Sequence, residues 1–306
     1  MRNILFRADF SSFIGTGHIM RDLVLAKQYK SENIIFATRE LDGNINYKID
    51  EEGYNKVILQ INDFEELDKI IKELNIDMLV IDHYEINYDF EKKLKDLNPN
   101  LKIFVFDDIY EKHFCDILLN HNISADEKKY ENLVPEDCEL RCGSKYTLLR
   151  DEFLEAKKQK NSIKKNKTIF IAMGGADHSN ININILKVLN KVRKENKKNI
   201  KVNIVSTNAN KNLEKLKDYC KNKKWIDLHI NSKQIAKLMI ESHFAIVTPS
   251  VTVNEVYYLE LPIIAIKTAE NQIDMYEFLK KNKYQVLDKF KKEKLKKALE
   301  KLLKER

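Results

Sequence analysis

The sequence has no apolar run of the length that a membrane-spanning helix requires. A bilayer needs roughly 20 consecutive apolar residues, and no stretch of the 306 residues approaches that length. Residues 1–6 enter a strand pattern directly and contain no apolar segment of a signal peptide. We therefore expect a cytoplasmic protein without integral membrane association.

Cysteine is also scarce. The four cysteines, Cys115, Cys138, Cys142 and Cys220, have no C-x-x-C spacing of the kind that zinc sites use. Thiols stay reduced in the cytosol. We predict buried free thiols rather than a metal site.

Basic residues are not gathered in one place, although the formal net charge is +7. Lysines are spread over residues 157–167, 187–224 and 280–306 and are mixed with acidic residues. A nucleic-acid-binding protein usually concentrates basic residues on one face or stripe. The distribution argues against a nucleic-acid partner and favours a solvated surface that also suits an anionic substrate.

Short apolar, β-branched runs alternate with longer amphipathic stretches along the whole chain. This alternation is typical of parallel sheets covered by helices, and 306 residues exceed the usual size of one hydrophobic core. The predicted strands are 3–7, 33–38, 56–59, 78–82, 102–107 and 117–120, then 168–173, 201–207, 227–230, 245–248 and 263–267. The pattern predicts an α/β protein with two Rossmann-like domains.

A charged stretch separates the two halves. We predict an N-terminal domain over residues 1–150, a linker over 151–167, a C-terminal domain over 168–287 and an amphipathic helix over 288–306. In that last segment Leu295, Leu299, Leu302 and Leu303 fall on one side of a helix. We favour a helix packed on the protein body; a membrane-surface helix has the same composition and is the alternative.

The strongest local signal is the turn Gly15-Thr16-Gly17-His18, which lies between a strand and a helix predicted over residues 18–29. Ligands of open α/β sheets lie beyond the carboxyl ends of the strands, and helix N-termini attract anions. The helix dipole also disfavours a protonated imidazole, so His18 is a candidate general base. The alternative is that these residues only satisfy the geometry of a turn.

Two other strands of the first half end in polar clusters, Asp82-His83-Tyr84 and Asp107-Asp108. Both should open onto the same edge of the sheet as His18. Asp82, Tyr84 and Asp107 are therefore candidates for contact with a bound ligand. Aspartates at strand ends also cap helices and form turns, and that alternative stays open.

In the second half, Gly174 and Gly175 follow the strand at 168–173. Paired glycines allow a ligand such as a diphosphate to approach the backbone closely. An ordinary tight turn is the alternative.

Residues 249–255 form another transition from strand to helix. Thr252 and Glu255 have the spacing of a capping box, in which Glu255 would bond a backbone N–H. The loop after the next strand carries Asn271 and Gln272, whose amides suit sugar hydroxyls. Spacing alone favours the cap for Glu255.

Several of these segments occur together in the order found in one known family. They are Leu5-Phe6-Arg7-Ala8-Asp9, Gly15-Thr16-Gly17-His18-Ile19-Met20-Arg21, Ile81-Asp82-His83-Tyr84, Phe106-Asp107-Asp108, Arg141-Cys142-Gly143, Met173-Gly174-Gly175 and Asn254-Glu255. As a set over residues 1–287, they resemble the UDP-2,4-diacetamido-2,4,6-trideoxy-β-L-altropyranose hydrolases of pseudaminic acid biosynthesis. The tail from Asp288 lies outside the resemblance.

The resemblance implies a GT-B fold with an interdomain cleft, similar to the lipid II glycosyltransferase. The C-terminal domain would bind the nucleotide, and the sugar would reach toward the N-terminal domain. It further implies hydrolysis of a UDP-sugar without a metal or other cofactor, with inversion at the anomeric carbon. A glycosyltransferase using the same donor and a non-catalytic nucleotide-sugar sensor are the rival functions.

The resemblance also implies roles for individual residues. His18 becomes the base that activates water. The implied substrate-binding residues are Gly15, Gly17, Arg21, Asp82, Tyr84 and Asp107 in the first half, and Gly174, Gly175, Ser250, Thr252, Asn254, Glu255, Asn271 and Gln272 in the second. The glycine pair and residues 250–252 would hold the diphosphate, Glu255 the ribose, and the amides of Asn271 and Gln272 the amidosugar.

Overall fold

The computed structural model describes residues 1–10, 17–159, 167–177, 179–195 and 199–304. The chain divides into two compact units, Met1–Leu149 and Arg150–Arg306, which we call unit 1 and unit 2. Gly15 and Thr16 of the predicted base motif lie outside the described residues, whereas Gly17 is the first residue of a helix.

Unit 1 contains a parallel sheet of seven strands. The strands are β1 Asn3–Ala8, β2 Asn33–Arg39, β3 Asn55–Leu59, β4 Met78–Asp82, β5 Lys102–Phe106, β6 Ile117–Asn120 and β7 Glu139–Cys142. The helices are α1 Gly17–Ala26, α2 Tyr47–Glu51, α3 Phe64–Glu73 and α4 Tyr88–Leu97, with 3-10 helices at Glu127–Tyr130 and Ser144–Tyr146. The spatial order is β3-β2-β1-β4-β5-β6-β7.

Unit 2 contains a second parallel sheet, of six strands. The strands are β8 Thr168–Ala172, β9 Lys201–Ser206, β10 Ile226–Ile230, β11 Phe244–Val247, β12 Ile263–Ile266 and β13 Gln285–Leu287. The helices are α5 Asp151–Gln159, α6 Asn182–Glu195, α7 Leu213–Cys220, α8 Ile235–Ile240, α9 Val251–Tyr258, α10 Ile273–Lys281 and α11 Lys292–Lys304, with a 3-10 helix at Glu270–Gln272. The spatial order is β10-β9-β8-β11-β12-β13.

The prediction of two Rossmann-like halves is confirmed, and every predicted strand is present with its ends moved by no more than one residue. Sequence reasoning missed β7 and β13. Both lie at the edge of a sheet, are short and are largely only partly buried, so they lack the apolar run by which buried parallel strands are recognised. The predicted helix 18–29 ends earlier, at Ala26.

Apolar residues cover both faces of each sheet. In unit 1, Leu5 packs with Leu79 on one face, whereas its neighbours Ile4 and Phe6 pack with Val80 on the other. Side chains alternate between the two faces of a strand, so β1 contributes to two cores at once. This two-sided burial explains why the strands read as continuous apolar runs.

The segment interpreted as a linker, residues 151–167, differs from that expectation. Its first part is helix α5, which buries Phe153 and Ala156 and contacts α8 and α9 of unit 2. These two side chains are three residues apart and therefore share one face of the helix. Residues 160–166 lie outside the described residues.

The lysine-rich tail forms α11, which packs against α6 and β13. Leu295 and Leu299 are completely buried in the core of unit 2, and Leu302 and Leu303 join them. The apolar face of this helix thus packs inside unit 2, as the favoured prediction states. In the part of the chain that the structure describes, no helix is long and apolar enough to cross a membrane.

Candidate active site

The strand order identifies one candidate ligand-binding position in each sheet. In unit 1 the order reverses at β1 and β4, whose last residues, Ala8 and Asp82, are paired. In unit 2 it reverses at β8 and β11, where Ala172 pairs with Val247. Open α/β sheets bind ligands beyond the carboxyl ends of such strands.

In unit 1, His18 at the start of α1 meets Asp82 at the end of β4. Nδ1 of His18 lies 2.6 Å from Oδ1 of Asp82. An ionised carboxylate can only accept a hydrogen bond, so Nδ1 carries the proton and donates it. In a neutral imidazole this leaves Nε2 with the free lone pair, as a general base requires.

Arg21 holds the Asp82 carboxylate from the other side. Its Nε donates to Oδ2 at 2.7 Å and its second terminal nitrogen donates to Oδ1 at 2.5 Å. Burial by itself raises the pKa of Asp82, but the charge and hydrogen bonds of Arg21, followed by those of His18, outweigh burial and hold that pKa far below its ordinary value. Asp82 is therefore an anion that orients the histidine.

Tyr84 and Asp108 complete this cluster. The Tyr84 ring stands edge-on to the His18 ring with 5.3 Å between centroids, and its hydroxyl donates to Oδ1 of Asp108 at 3.0 Å. Asp108 also accepts from Arg21 at 3.3 Å. Burial, followed by the Asp108 charge, raises the pKa of Tyr84 far above its usual range, so it stays a neutral phenol. Asp108 was not among the predicted site residues.

Asp107, which was predicted to bind substrate, forms hydrogen bonds within the protein. Its carboxylate accepts the backbone N–H groups of Ile109 and Tyr110 and the hydroxyl of Tyr130. The residue is only 4% exposed. Asp107 thus forms the turn after β5, as the structural alternative proposed, and its neighbour Asp108 joins the His18 cluster.

A second buried ionic network fixes the end of β1. Arg7 donates to both oxygens of Asp9, at 2.7 and 2.8 Å, and Arg39 donates to Asp9 at 2.6 Å. Nε2 of His83 lies 3.0 Å from the same carboxylate. Buried ion pairs of this kind hold their geometry because breaking one leaves an uncompensated charge. The network anchors the backbone at Asp9, just after β1.

In unit 2 the corresponding position is formed mainly by backbone. Gly174 has φ of +77°, and a Cβ on Gly175 would lie 2.7 Å from Cγ2 of Thr207. Both glycines are exposed. Asp177 then accepts the N–H groups of Ile181 and Asn182 at the start of α6. The glycine pair is thus required by geometry and leaves its backbone accessible.

At the N-terminus of α9, the N-cap residue Ser250 forms no capping hydrogen bond. Its hydroxyl pairs with that of Thr248 at 3.1 Å. Thr252 is the second residue of the helix and not its N-cap, so the proposed capping box does not form. Oε1 of Glu255 instead accepts from Arg150 at 3.0 Å. The capping interpretation of Glu255 is wrong.

The Glu255 side chain is largely buried, with 17% of its surface exposed. Burial raises its pKa to about 7, although the charge and hydrogen bond of Arg150 oppose the rise. Arg150 also pairs with Glu152 at 2.5 Å. Glu255 therefore titrates near neutral pH.

The remaining predicted residues of unit 2 are divided between the surface and the interior. Asn271 is exposed on the 3-10 helix. Gln272 uses its carbonyl oxygen to accept the N–H groups of Thr268, at 2.8 Å, and Ala269, at 3.3 Å, so it shapes the loop. Asn254 is buried in α9. Among the described residues, no group of three or more His, Cys, Asp or Glu side chains is placed to hold a metal ion.

No family model matches the chain. It is, however, 41% identical over 283 residues to the UDP-2,4-diacetamido-2,4,6-trideoxy-β-L-altropyranose hydrolase of Campylobacter jejuni, a match that covers 92% of this chain and 98% of that protein. The chain belongs to this hydrolase family. An uncharacterised protein of Methanocaldococcus jannaschii is 30% identical over 281 residues, which are 89% of this chain and 57% of that protein.

Solved structures extend the family assignment to the fold. MurG of Acinetobacter baumannii has a TM-score of 0.68 at 12% identity, over 99% of this chain and 91% of that one. A UDP-GlcNAc 2-epimerase of Neisseria meningitidis, bound to UDP-GlcNAc, has a TM-score of 0.62 at 14% identity, over 99% and 91% of the two chains. This member of the hydrolase family thus has the GT-B fold that the resemblance implies.

Proposed function

We propose that this protein hydrolyses UDP-2,4-diacetamido-2,4,6-trideoxy-β-L-altropyranose to UDP and the free sugar by attack of water at the anomeric carbon, with inversion. The observation that carries the proposal is the His18–Asp82 pair at the reversal of strand order in unit 1, in a chain 41% identical to a hydrolase of that substrate.

In the proposed step, Nε2 of His18 takes a proton from water as the water oxygen bonds to the anomeric carbon. The bond from that carbon to the phosphate oxygen breaks, and UDP leaves with the electron pair. Asp82 stabilises the imidazolium through Nδ1–H, as the carboxylate of a catalytic triad does. A general base contributes about 10²–10⁴-fold to a rate, so substrate positioning and stabilisation of the leaving group must supply much of the remainder.

We assign nucleotide binding to unit 2. The exposed backbone at Gly174 and Gly175 and the N-terminus of α9 suit the diphosphate, because free N–H groups and the helix dipole attract anions. Ser250 and Thr252 lie at that N-terminus. Glu255, held by Arg150 through one oxygen, is the proposed partner of the ribose hydroxyls. We further propose that the reaction needs no metal ion.

Hydrolysis in ¹⁸O-labelled water tests the proposal. Label at C1 of the free sugar, with unlabelled UDP, is the expected result, and label in UDP would refute attack at the anomeric carbon. A glycosyltransferase would release UDP efficiently only with an acceptor present, and a nucleotide-sugar sensor would bind without turnover. Activity that disappears on dialysis against EDTA and returns with a divalent cation would refute metal independence.

A further inference from the structure

Helix α1 presents three polar side chains to the same carboxylate. Arg21 and Asp22 follow His18 by three and four residues, so both neighbour His18 on the surface of the helix. His18 and Arg21 donate to Asp82. Asp22 contacts the same group, although both are carboxyls. Asp22 was not among the residues predicted from the sequence to belong to the site.

Asp22 is fully enclosed, with no exposed surface. Neither of its oxygens meets a hydrogen-bond donor among the described residues. A buried carboxylate with no donor is very costly, and such groups become neutral instead. Two neighbouring carboxyls can form a hydrogen bond only when one of them carries a proton.

The surroundings decide which of the two carries it. Asp82 accepts N–H bonds from His18 and Arg21 on both of its oxygens, and these stabilise its charge. Asp22 has no such donor, and burial together with the negative charge of Asp82 raises its pKa far above the ordinary value. The proton therefore resides on Asp22.

The other charged and titratable groups around this pair are accounted for. Arg21, on the same helix, pairs with Asp82 and with Asp108 after β5. His121, after β6, is also buried; burial and the charge of Arg21 lower its pKa to about 3, so it is neutral. Arg21 is thus the cation that faces both carboxyls, and it is already paired with two anions.

We propose that Asp22 is a positioning residue that stays protonated and donates its carboxyl hydrogen to Asp82. A carboxylate has about four acceptor positions, of which the His18 and Arg21 bonds occupy three. The fourth bond, from Asp22, fixes the rotation of Asp82 and with it the direction of Nε2 of His18. The inference rests on the proposed function of His18, because its purpose is to orient that base.

Two substitutions separate this role from a general effect on folding. Asp22→Asn keeps a donor of the same shape, so kcat should stay within about threefold of the wild-type value. Asp22→Leu keeps the branching of the side chain and removes the donor, so kcat should fall about tenfold, the equivalent of one hydrogen bond, while KM changes little. Equal damage by both substitutions, or a fully active Asp22→Leu enzyme, would overturn the proposal.

A measurement that does not depend on turnover decides the proton position directly. Carboxyl ¹³C NMR of the aspartate-labelled enzyme, with Asp22→Asn to assign the resonance, should show a neutral Asp22 at pH 7. An ionised Asp22 would refute the inference even if Asp22→Leu failed to fold. The same spectrum of His18→Asn should still contain the neutral acid, so an error in the proposed reaction and an error about Asp22 give different results.

Discussion

The two units share a topology but differ in what they place at the reversal of strand order. Unit 1 gathers the imidazole of His18 and the charged groups of Arg21, Asp82 and Asp108, with hydrogen bonds among them. Unit 2 has an exposed glycine pair, and Thr207 leaves no room for a side chain at Gly175. The fold therefore determines where a ligand can bind, and local residues determine which chemistry is possible there.

This difference matches the proposed division of labour between the two units. A proton transfer needs one basic atom aimed by fixed neighbours, and the buried Asp82 would supply that aim for the proposed base. Binding of a diphosphate needs several N–H groups and close backbone approach, which large side chains would prevent. Each of the following four experiments tests one side of the comparison.

The largest effect is expected in unit 1. His18→Asn should lower kcat by about 10²–10⁴-fold because the base is lost, while the dissociation constant of UDP stays unchanged. Steady-state kinetics and calorimetry measure the two quantities. The control is His229→Asn in unit 2, at a partly buried histidine that contacts Asn203, which should keep its activity. A folded His18→Asn variant with full kcat would refute the proposal that His18 of unit 1 accepts the proton.

The next effect concerns the stability of unit 2. Leu299→Ala deletes a completely buried side chain of α11 and should lower the free energy of unfolding by about 2–5 kcal/mol. Denaturant unfolding measures this change, and kcat below the transition should be unaffected. Lys297→Ala, at an exposed position of the same helix, should have little effect. Equal stability of the two variants would contradict a packed α11.

A smaller effect is expected at the glycine pair. Gly175→Ala brings a Cβ within 2.7 Å of Thr207 Cγ2, and relief of such overpacking costs about 1–3 kcal/mol. We expect UDP to bind about 5- to 150-fold more weakly, as measured by calorimetry. Adding Thr207→Ser removes the clashing methyl group and should restore part of the affinity. No recovery in the double variant would show that the clash is not the cause.

The smallest effect is a pH dependence from Glu255. Burial raises the pKa of Glu255 to about 7. Only the ionised carboxylate can accept hydrogen bonds from both ribose hydroxyls, because the protonated form uses one oxygen to carry a hydrogen. Affinity for UDP should therefore rise several-fold between pH 6 and 8. Glu255→Gln is the control, because UDP itself also titrates and changes the affinity of both proteins; the rise in the wild-type protein should exceed the rise in this variant. Because the folded-state pKa is raised, the free energy of unfolding should fall as pH rises through the same range. Identical pH profiles for the two proteins would exclude this role.

Much of the fold was predictable, for a physical reason. Parallel strands covered on both faces must be apolar throughout, and strands such as β1 and β4 therefore stand out from the polar helices between them. The short, partly buried edge strands β7 and β13 lack that signal. Helix α5 was hidden by its lysines, because only Phe153 and Ala156 mark its buried face.

The candidate site was predictable only in part. The positions of His18, Asp82 and Tyr84 follow from where strands end and helices begin. The choice between Asp107 and Asp108 depends on which of the two side chains after β5 points toward the His18 cluster. Two adjacent aspartates carry no sequence signal for that direction. The partner of Glu255 lies 105 residues away in the chain, beyond the reach of a local capping rule.

The turn before His18 and the apolar strand pattern determined that a histidine would lie near a strand end of a two-domain α/β protein. Local sequence determines this much because strand ends and helix starts are set by residues close in the chain. Only the tertiary structure decided that β4 pairs with β1, which brings Asp82 to Nδ1 of His18 and leaves Asp22 enclosed beside it. Those contacts arise from sheet order, a property that residues far apart in sequence determine together.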